Sequence, residues 1–336
     1  MNFTKFPRRK YLQGPTPIEP MPSLSKALGA DVNLFVKRDD LLPGSAGGNK
    51  TRKLEFCIAD ALVKGADTII TCGAVQSNHA RLTASWSAKE GLECHLLLEE
   101  RVKGSYKEDA SGNNFLFELL GVKSIGVVEG GSDMMAQMDK KADELTTAGK
   151  KPYIIPGGAS NTIGATGYAV CAEETMNQLN DMHLAIDHIV VPSGSAGTHA
   201  GMVVGMTGVN GNIPISGINV SRPKDVQEDI VYQLSVETAE RLGVKGGVDR
   251  ENIVCFDQYV GPGYSLPTDA MVEAVKLFAG TEAILLDPVY SGKAAAGLID
   301  LIRNGYFPKG SNVLFLHTGG SPALYAYMDT FRLKES

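Results

Sequence analysis

The chain has 336 residues, of which 43% are hydrophobic and 21% charged, and its formal net charge is −6. This length exceeds what one compact core usually holds and predicts two lobes. The acidic balance, without a long basic run, argues against a nucleic-acid-binding surface. No apolar run reaches membrane-spanning length, and the basic N-terminal segment lacks the apolar core of a secretory signal, so we expect a cytoplasmic location.

Five cysteines are present, an odd number without CxxC spacing, at positions 57, 72, 94, 171 and 255. In a cytoplasmic protein this pattern is typical of reduced thiols inside the core. The sequence therefore predicts neither disulfides nor a metal site.

The first half of the chain alternates short β-rich runs with helical patterns. Strands are predicted at 32–37, 68–71, 94–98, 124–128 and 152–155, and helices around 24–28, from 51, from 78, at 113–120 and at 134–145. Such alternation predicts a parallel sheet covered by helices on both faces.

The second half repeats the alternation. Strands are predicted at 187–191, 215–220 and 312–316, and helices at 164–178, 198–209, 226–242, 271–278 and 293–303. The prediction is an α/β protein with two lobes, each a mostly parallel twisted sheet flanked by helices. Ligands of such folds bind at the carboxyl ends of the strands, here between the lobes.

One short segment, GGNKTRKLE at 47–55, combines a permissive loop with the start of an apolar helical stripe. Lys50 lies at that junction, where the positive end of the helix dipole disfavours a further proton on an amine. A lysine with a lowered pKa is a nucleophile that forms Schiff bases with carbonyl groups. The alternative for an isolated Asn-Lys pair is a solvated lysine at a helix start.

A Gly/Ser loop joins the strand ending at Val191 to the next helix. Small side chains and a helix N-terminus favour the binding of an anion such as phosphate. The loop is neither GxGxxG nor GxxxxGK[ST], which argues against a dinucleotide or P-loop nucleotide. Its residues are Ser193, Gly194, Ser195, Ala196, Gly197 and Thr198. Lys53, one turn after Lys50, is a candidate for added charge there or a solvated lysine.

A second strand-to-helix loop, at 73–79, carries hydroxyl, amide and imidazole groups. Its donors suit a carboxylate at a helix N-terminus, although Ser77 or Asn78 could equally be no more than a helix cap. His79 is a candidate substrate contact, and the alternative is a structural histidine.

These segments, with GPTP at 14–17 and HTGG at 317–320, resemble the pyridoxal-phosphate enzymes that include D-cysteine desulfhydrase, L-cysteate sulfo-lyase and 1-aminocyclopropane-1-carboxylate (ACC) deaminase. The resemblance runs nearly end to end. It implies fold type II, like the tryptophan synthase β subunit, with a small lobe at about 47–164 inserted into a large lobe at 1–46 and 165–336. It also implies a small amino-acid substrate and a homodimer.

The resemblance further assigns roles. Lys50 carries pyridoxal 5'-phosphate, the 193–198 loop holds its phosphate, and Asn78 and Tyr290 lie against its ring. The 73–79 loop holds the substrate carboxylate, so that Ser77, Asn78 and His79 are its contacts. Tyr264 lies near the substrate. The α-proton is moved by Lys50 or by Ser77. Lys293 resembles a second cofactor lysine, but we interpret it as a lysine that caps or pairs structurally.

Two positions separate the subfamilies. ACC deaminases usually have Glu and Leu where this chain has Ser291 and Thr318. A hydroxyl at the ring nitrogen hardly keeps that nitrogen protonated, which counts against cyclopropane ring opening and suits α,β-elimination to pyruvate and ammonia.

The substrate is predicted from longer segments. SGSAGTHAG at 193–201 resembles the desulfhydrases, whereas segments 131–138, 155–161 and 222–243 resemble the sulfo-lyases. L-Cysteate, releasing sulfite, is therefore the first prediction, and D-cysteine, releasing sulfide, is the alternative. Arg222 is a candidate sulfonate contact or a surface arginine. A non-catalytic ligand-binding member of the fold is the rival class.

Overall fold

The computed structural model describes residues 1–332, which form two sheets covered by helices. The strands, β1 to β10, are Ile18–Pro20, Asn33–Arg38, Thr68–Ala74, Glu93–Glu100, Ser124–Glu129, Pro152–Ile155, His188–Ser193, Ile215–Asn219, Val254–Phe256 and Asn312–His317. The α-helices, α1 to α11, are Pro22–Leu28, Lys50–Val63, Asn78–Lys89, Asn113–Leu119, Met134–Thr147, Thr162–Asp181, Gly197–Gly208, Lys224–Leu242, Asp269–Glu282, Ser291–Arg303 and Met328–Phe331.

The larger sheet has the order β1-β2-β10-β7-β8-β9. All of its pairs are parallel except β1 with β2, which is antiparallel. Its central strands are apolar on both faces, with Val36, Val190, Ile218 and Phe315 fully buried, as parallel strands between two helical layers require. The edge strands β1 and β9 were not predicted, because three residues are too few to show an alternating pattern.

The smaller sheet has the order β5-β4-β3-β6 and is parallel throughout. Its strands all lie within 47–164, and the strands of the larger sheet all lie outside that range. The α/β fold with two mostly parallel sheets is therefore confirmed. The exact lobe boundaries stay a prediction.

Helix α7 packs closely on α6 because its glycines remove side-chain bulk. A Cβ on Gly201 would lie 2.4 Å from the Ala165 carbonyl oxygen, and one on Gly205 would lie 2.4 Å from the Ala172 Cβ. This approach fixes the N-terminus of α7 at the carboxyl end of β7, beside the cleft between the sheets.

Helix α2 begins at Lys50, one residue before the predicted start, and lies between the two sheets. Its apolar residues Leu54, Cys57 and Ile58 pack with Ile69 of the smaller sheet. Its buried Arg52 pairs instead with acidic groups on the larger lobe. Lys50 therefore begins a helix that contacts both the smaller sheet and acidic groups beside the larger sheet.

All five cysteines are free and buried, as predicted. No group of three or more histidine, cysteine or acidic side chains arranged for a metal ion occurs within residues 1–332. Across the same residues, no helix has the length and apolar character needed to cross a bilayer.

Candidate active site

A cavity of about 280 Å³ lies in the cleft between the sheets, and most of the residues singled out in the sequence surround it. Its walls come from the N-terminus of α2 and from the segments that follow β3, β4, β6, β7, β8 and β10. Lining residues that were predicted from the sequence are Lys50, Ser77, Asn78, His79, Gly194, Ser195, Ala196, Thr198, Arg222, Tyr264, Tyr290 and Thr318. The remaining predicted residues, Lys53, Ser193, Gly197 and Ser291, lie buried behind this wall.

Lys50 is buried, with only 8% of its surface exposed. Burial lowers the pKa of its amine to about 8, while the charge of Asp287 opposes that shift. The Nζ atom donates to Asn49 Oδ1 at 3.2 Å and lies 5.7 Å from the centre of the Tyr290 ring. A large fraction of this amine is therefore neutral and nucleophilic near pH 8.

The loop before α7 presents backbone donors. Ala196 has a positive φ of 72°, which turns the chain into the helix. No acceptor within residues 1–332 lies in hydrogen-bond range of the backbone N–H groups of Ala196 and Thr198. Together with the dipole of the twelve-residue α7, these free donors suit an anion.

The other residues of this loop hold its shape. Ser160 Oγ donates to Ser195 Oγ at 2.8 Å and accepts from the Gly197 N–H at 3.2 Å. Lys53 Nζ donates to the Gly158 carbonyl oxygen at 3.1 Å and would be 2.9 Å from a Cβ on Gly197. Burial, with the added effect of the Lys50 charge, lowers the pKa of Lys53 well below its ordinary value. Lys53 therefore supports the loop from behind.

The 73–79 loop combines a helix cap with free donors. Ser77 Oγ accepts from the Ala80 N–H at 3.1 Å and so caps α3. Asn78 Oδ1 accepts from Asn113 Nδ2 at 2.8 Å, and His79 Nε2 lies 2.7 Å from Thr71 Oγ1. Within residues 1–332, the backbone N–H groups of Asn78 and His79 have no acceptor. Both interpretations of the sequence therefore fit, since the loop caps a helix and also offers donors to a carboxylate.

Two tyrosines form a pair on one side of Lys50. Tyr264 OH donates to Tyr290 OH at 2.8 Å, and the rings meet edge to face at 5.7 Å. Lys293 Nζ donates to the Val260 and Gly263 carbonyl oxygens, each at 2.7 Å, and thereby fixes the loop that carries Tyr264. Lys293 thus has the structural contacts predicted for it.

Ser291 and Thr318 have different surroundings. Ser291 Oγ accepts from the Asp287 N–H and donates to Asp287 Oδ1, both at 2.8 Å, so its hydroxyl is already bonded within the protein. Thr318 lines the cavity, and its carbonyl oxygen accepts from the Asn49 N–H at 3.0 Å. Thr318 is therefore the better placed of the two hydroxyls for contact with a ligand.

Several lining residues were not predicted. Glu99 lies near the end of β4, Arg101 follows that strand, and Met134, Met135 and Met138 belong to α5. The Arg101 guanidinium lies 4.3 Å from the centre of the Tyr264 ring. Its place after a parallel strand was a usable signal, because such strand ends meet at one edge of the sheet.

Two relatives match this chain over nearly its whole length. The D-cysteine desulfhydrase of Salmonella typhimurium is 44% identical over 328 residues, covering 97% of this chain and 98% of that protein. The D-cysteine desulfhydrase of Klebsiella pneumoniae subsp. pneumoniae is 45% identical over the same coverage.

Solved structures agree on the fold. An ACC deaminase homologue, 38% identical, superimposes with a TM-score of 0.88 over 98% of this chain and 96% of that one. O-ureido-L-serine synthase, 18% identical with a TM-score of 0.66 over 96% and 94%, shares the fold. The family model described as pyridoxal-phosphate dependent enzyme matches residues 10–319. This chain therefore belongs to the pyridoxal-phosphate-dependent enzymes.

Proposed function

We propose that this enzyme is a carbon–sulfur lyase that eliminates the sulfur of D-cysteine, giving sulfide, pyruvate and ammonia. The observation that carries the proposal is the buried Lys50 amine, with its pKa lowered to about 8, facing the tyrosine pair in the cavity. D-Cysteine was the alternative in the sequence prediction, after L-cysteate. The near-full-length identity to D-cysteine desulfhydrases favours it over that first choice.

The residues present fit pyridoxal 5'-phosphate. The free N–H groups at the start of α7, with Lys53 behind them, would hold its phosphate. Gly194 leaves room beside Tyr290, since a Cβ there would lie 3.0 Å from the tyrosine ring. Lys50 would bind the aldehyde carbon, and Asn78, Tyr290 and Thr318 would surround the ring. When bound, the cofactor withdraws electrons from the α-carbon of an amino acid and so acidifies its proton.

The protein's own groups then have defined tasks. The free N–H groups of Asn78 and His79 bind the substrate carboxylate at the N-terminus of α3. The Lys50 amine, which burial leaves largely uncharged near pH 8, would take the α-proton at Nζ. Ser77 is second to it in this role, because its Oγ already accepts the Ala80 N–H.

The tyrosine pair serves the leaving group. Since Tyr264 OH donates to Tyr290 OH, the Tyr290 proton remains free for another acceptor. The Cβ–S bond breaks with its electron pair on sulfur, and Tyr290 protonates the sulfur. Water then hydrolyses the remaining unsaturated amine to pyruvate and ammonia.

L-Cysteate is kept as a second candidate on one observation. Two guanidinium groups, those of Arg101 and Arg222, line the cavity, which a sulfonate would use and a thiol would not.

The test is product release from the purified holoenzyme with D-cysteine, L-cysteine, L-cysteate and ACC in parallel. Pyruvate, sulfide and sulfite are assayed separately. Sulfide and pyruvate from D-cysteine in preference to the others is the expected result. If sulfite from L-cysteate were the main product, the proposed substrate would become L-cysteate in place of D-cysteine. If no substrate gave pyruvate, the result would contradict the elimination reaction itself.

A further inference from the structure

Three charged residues form a cluster on the cavity wall that the proposed elimination of D-cysteine does not use. Arg101 Nε donates to Glu99 Oε2 at 2.6 Å, and Glu99 Oε1 accepts the Gly131 N–H at 3.0 Å. Arg222 Nη1 donates to the Gly194 carbonyl oxygen at 2.7 Å. The cluster has two cations for one carboxylate and carries a net charge of +1.

Donors of both arginines are unoccupied. Within residues 1–332, no acceptor lies in hydrogen-bond range of Arg101 Nη1 and Nη2 or of Arg222 Nε and Nη2. Guanidinium groups with free paired donors are suited to oxyanions, which they bind through two parallel hydrogen bonds.

The other anions of the proposed reaction have sites of their own. The substrate carboxylate takes the N-terminus of α3, and the cofactor phosphate takes the N-terminus of α7. The net positive charge of a cluster outside these two sites favours the binding of a third negatively charged group.

The cluster lies on the side of the leaving group. The Arg101 guanidinium stacks on Tyr264, whose hydroxyl donates to Tyr290, the proposed proton donor to sulfur. Burial raises the pKa of Tyr290, and the charges of Arg101 and Arg222 both oppose that rise, so both cations act on this hydroxyl.

There is also room for a larger group. A second cavity of about 540 Å³ shares Ala74, Glu99 and Arg101 with the first. A substituent that points from Cβ towards Arg101 therefore meets open space.

We infer that Arg101 and Arg222 form a subsite for a negatively charged substituent on Cβ, such as a sulfonate or carboxylate, and that Arg101 determines this specificity. The inference rests on the proposed orientation of the substrate. It extends the substrate class to β-substituted amino acids with an anionic side group.

The test compares aspartate with asparagine, in both enantiomers, because the two ligands share a shape and differ in charge. Dissociation constants are measured from the change in cofactor absorbance of the holoenzyme, so the readout does not require turnover. Variants are Arg101→Gln, Arg101→Lys and Glu99→Gln, with Arg303→Gln as a control at an exposed ion pair.

We expect the wild type to bind one enantiomer of aspartate about tenfold or more tightly than the matching asparagine. Relative to the wild type, Arg101→Gln should remove that preference, Arg101→Lys should retain most of it, and Glu99→Gln should increase it. Opposite effects of Arg101→Gln and Glu99→Gln would not arise from simple disturbance of the site.

Equal binding of aspartate and asparagine by the wild type would overturn the inference. An Arg101→Gln variant whose affinities for aspartate and asparagine fall by the same factor would also overturn it. If that variant does not fold, the Glu99→Gln variant decides, because a preference for aspartate that does not increase would overturn the inference. Failure of the proposed function is a separate outcome, since it would appear as absent pyruvate from D-cysteine whatever the binding constants are.

Discussion

Lys50 is set apart from other lysines by its surroundings. Only 8% of its surface is exposed, its sole hydrogen-bond partner within residues 1–332 is Asn49, and the ring of Tyr290 faces its amine. A buried amine of this kind is costly to keep charged, and this property suits the roles of nucleophile and base that we propose for Lys50.

Replacing Lys50 by alanine should abolish turnover. The side chain is proposed both to bind the cofactor and to move the α-proton, and the second task alone contributes at least about a hundredfold to a rate. Pyruvate formation and the cofactor absorbance band would be measured on the purified variant. Lys64→Ala, at an exposed lysine paired with Asp60, is the control that should behave as the wild type. Normal turnover by Lys50→Ala would refute the mechanism.

The lowered pKa of Lys50 predicts a distinct pH dependence of labelling. The neutral amine is the reactive form, so in the cofactor-free protein its rate of acylation should rise with pH and reach half its maximum near pH 8. An ordinary lysine reaches that point about two pH units higher. Mass spectrometry of peptides after a short pulse of reagent gives the rate. A midpoint for Lys50 at the ordinary value would show that the amine is solvated.

The helix N-terminus of α7 depends on the absence of a side chain at Gly197. An added Cβ would lie 2.8 Å from Ser160 Oγ and 2.9 Å from Lys53 Nζ, so the loop would have to shift. Overpacking of this kind costs about 1–3 kcal/mol.

Gly197→Ala should therefore weaken cofactor binding about tenfold or more, as measured by titration of the apoprotein with pyridoxal phosphate. Gly280→Ala in α9 is the matched control. A Cβ at that position meets nothing within 4 Å, and the change should leave cofactor affinity unaltered. Equal affinities for the two variants would mean that the loop does not bind the cofactor.

The elements were largely predictable from the sequence because each long strand and helix carries its own periodic pattern. Strands β2, β7 and β10 and helices α3, α5 and α10 begin within two residues of the predicted positions. β1 and β9 could not be predicted, since a three-residue edge strand is defined by its partner and not by its own sequence.

The site was predictable where a motif joined a strand to a helix, as at Lys50, Ser77 and the 193–198 loop. Arg101 was missed because its role depends on Glu99 and Tyr264, and Tyr264 lies 163 positions further along the chain. The buried Asp287, which faces Ser291, was missed for a related reason, since a carboxylate beside Pro288 reads as an ordinary turn residue. Pairings of this kind arise only from tertiary structure.

At the scale of the whole molecule, a buried ionic network around Arg52 joins α2, which packs on the smaller sheet, to Asp39 and Glu174 beside the larger sheet. The guanidinium binds both oxygens of Asp39, at 2.8 and 2.9 Å, and both oxygens of Glu174, at 2.8 and 2.9 Å. Tyr168 OH donates to Asp39 Oδ2 at 2.6 Å, and Lys37 Nζ donates to Glu174 Oε1 at 2.5 Å.

The homodimer implied by the family resemblance stays a prediction, to be measured by analytical ultracentrifugation.

The network predicts a large effect of Arg52→Met on the free energy of unfolding. Methionine fills much of the same volume but leaves the fully buried Asp39 without its main counter-charge, and such losses cost about 3–5 kcal/mol. Arg303→Met, which breaks an exposed pair with Glu273, should cost no more than about 1 kcal/mol. Urea unfolding of both apoproteins gives the comparison.

The same network fixes the sign of a pH effect. Burial would raise the pKa of Asp39, but the charge and hydrogen bonds of Arg52 outweigh it and hold that pKa below its ordinary value. A carboxyl whose pKa is lower in the folded state stabilises the fold above its unfolded pKa of about 3.9, and this contribution is lost as pH falls towards the folded pKa. Wild-type stability should therefore fall more steeply than that of Arg52→Met below about pH 4, because the variant lacks the interaction that acid removes. Parallel acid unfolding curves for the two proteins would show that Arg52 does not lower the pKa of Asp39 in the folded state.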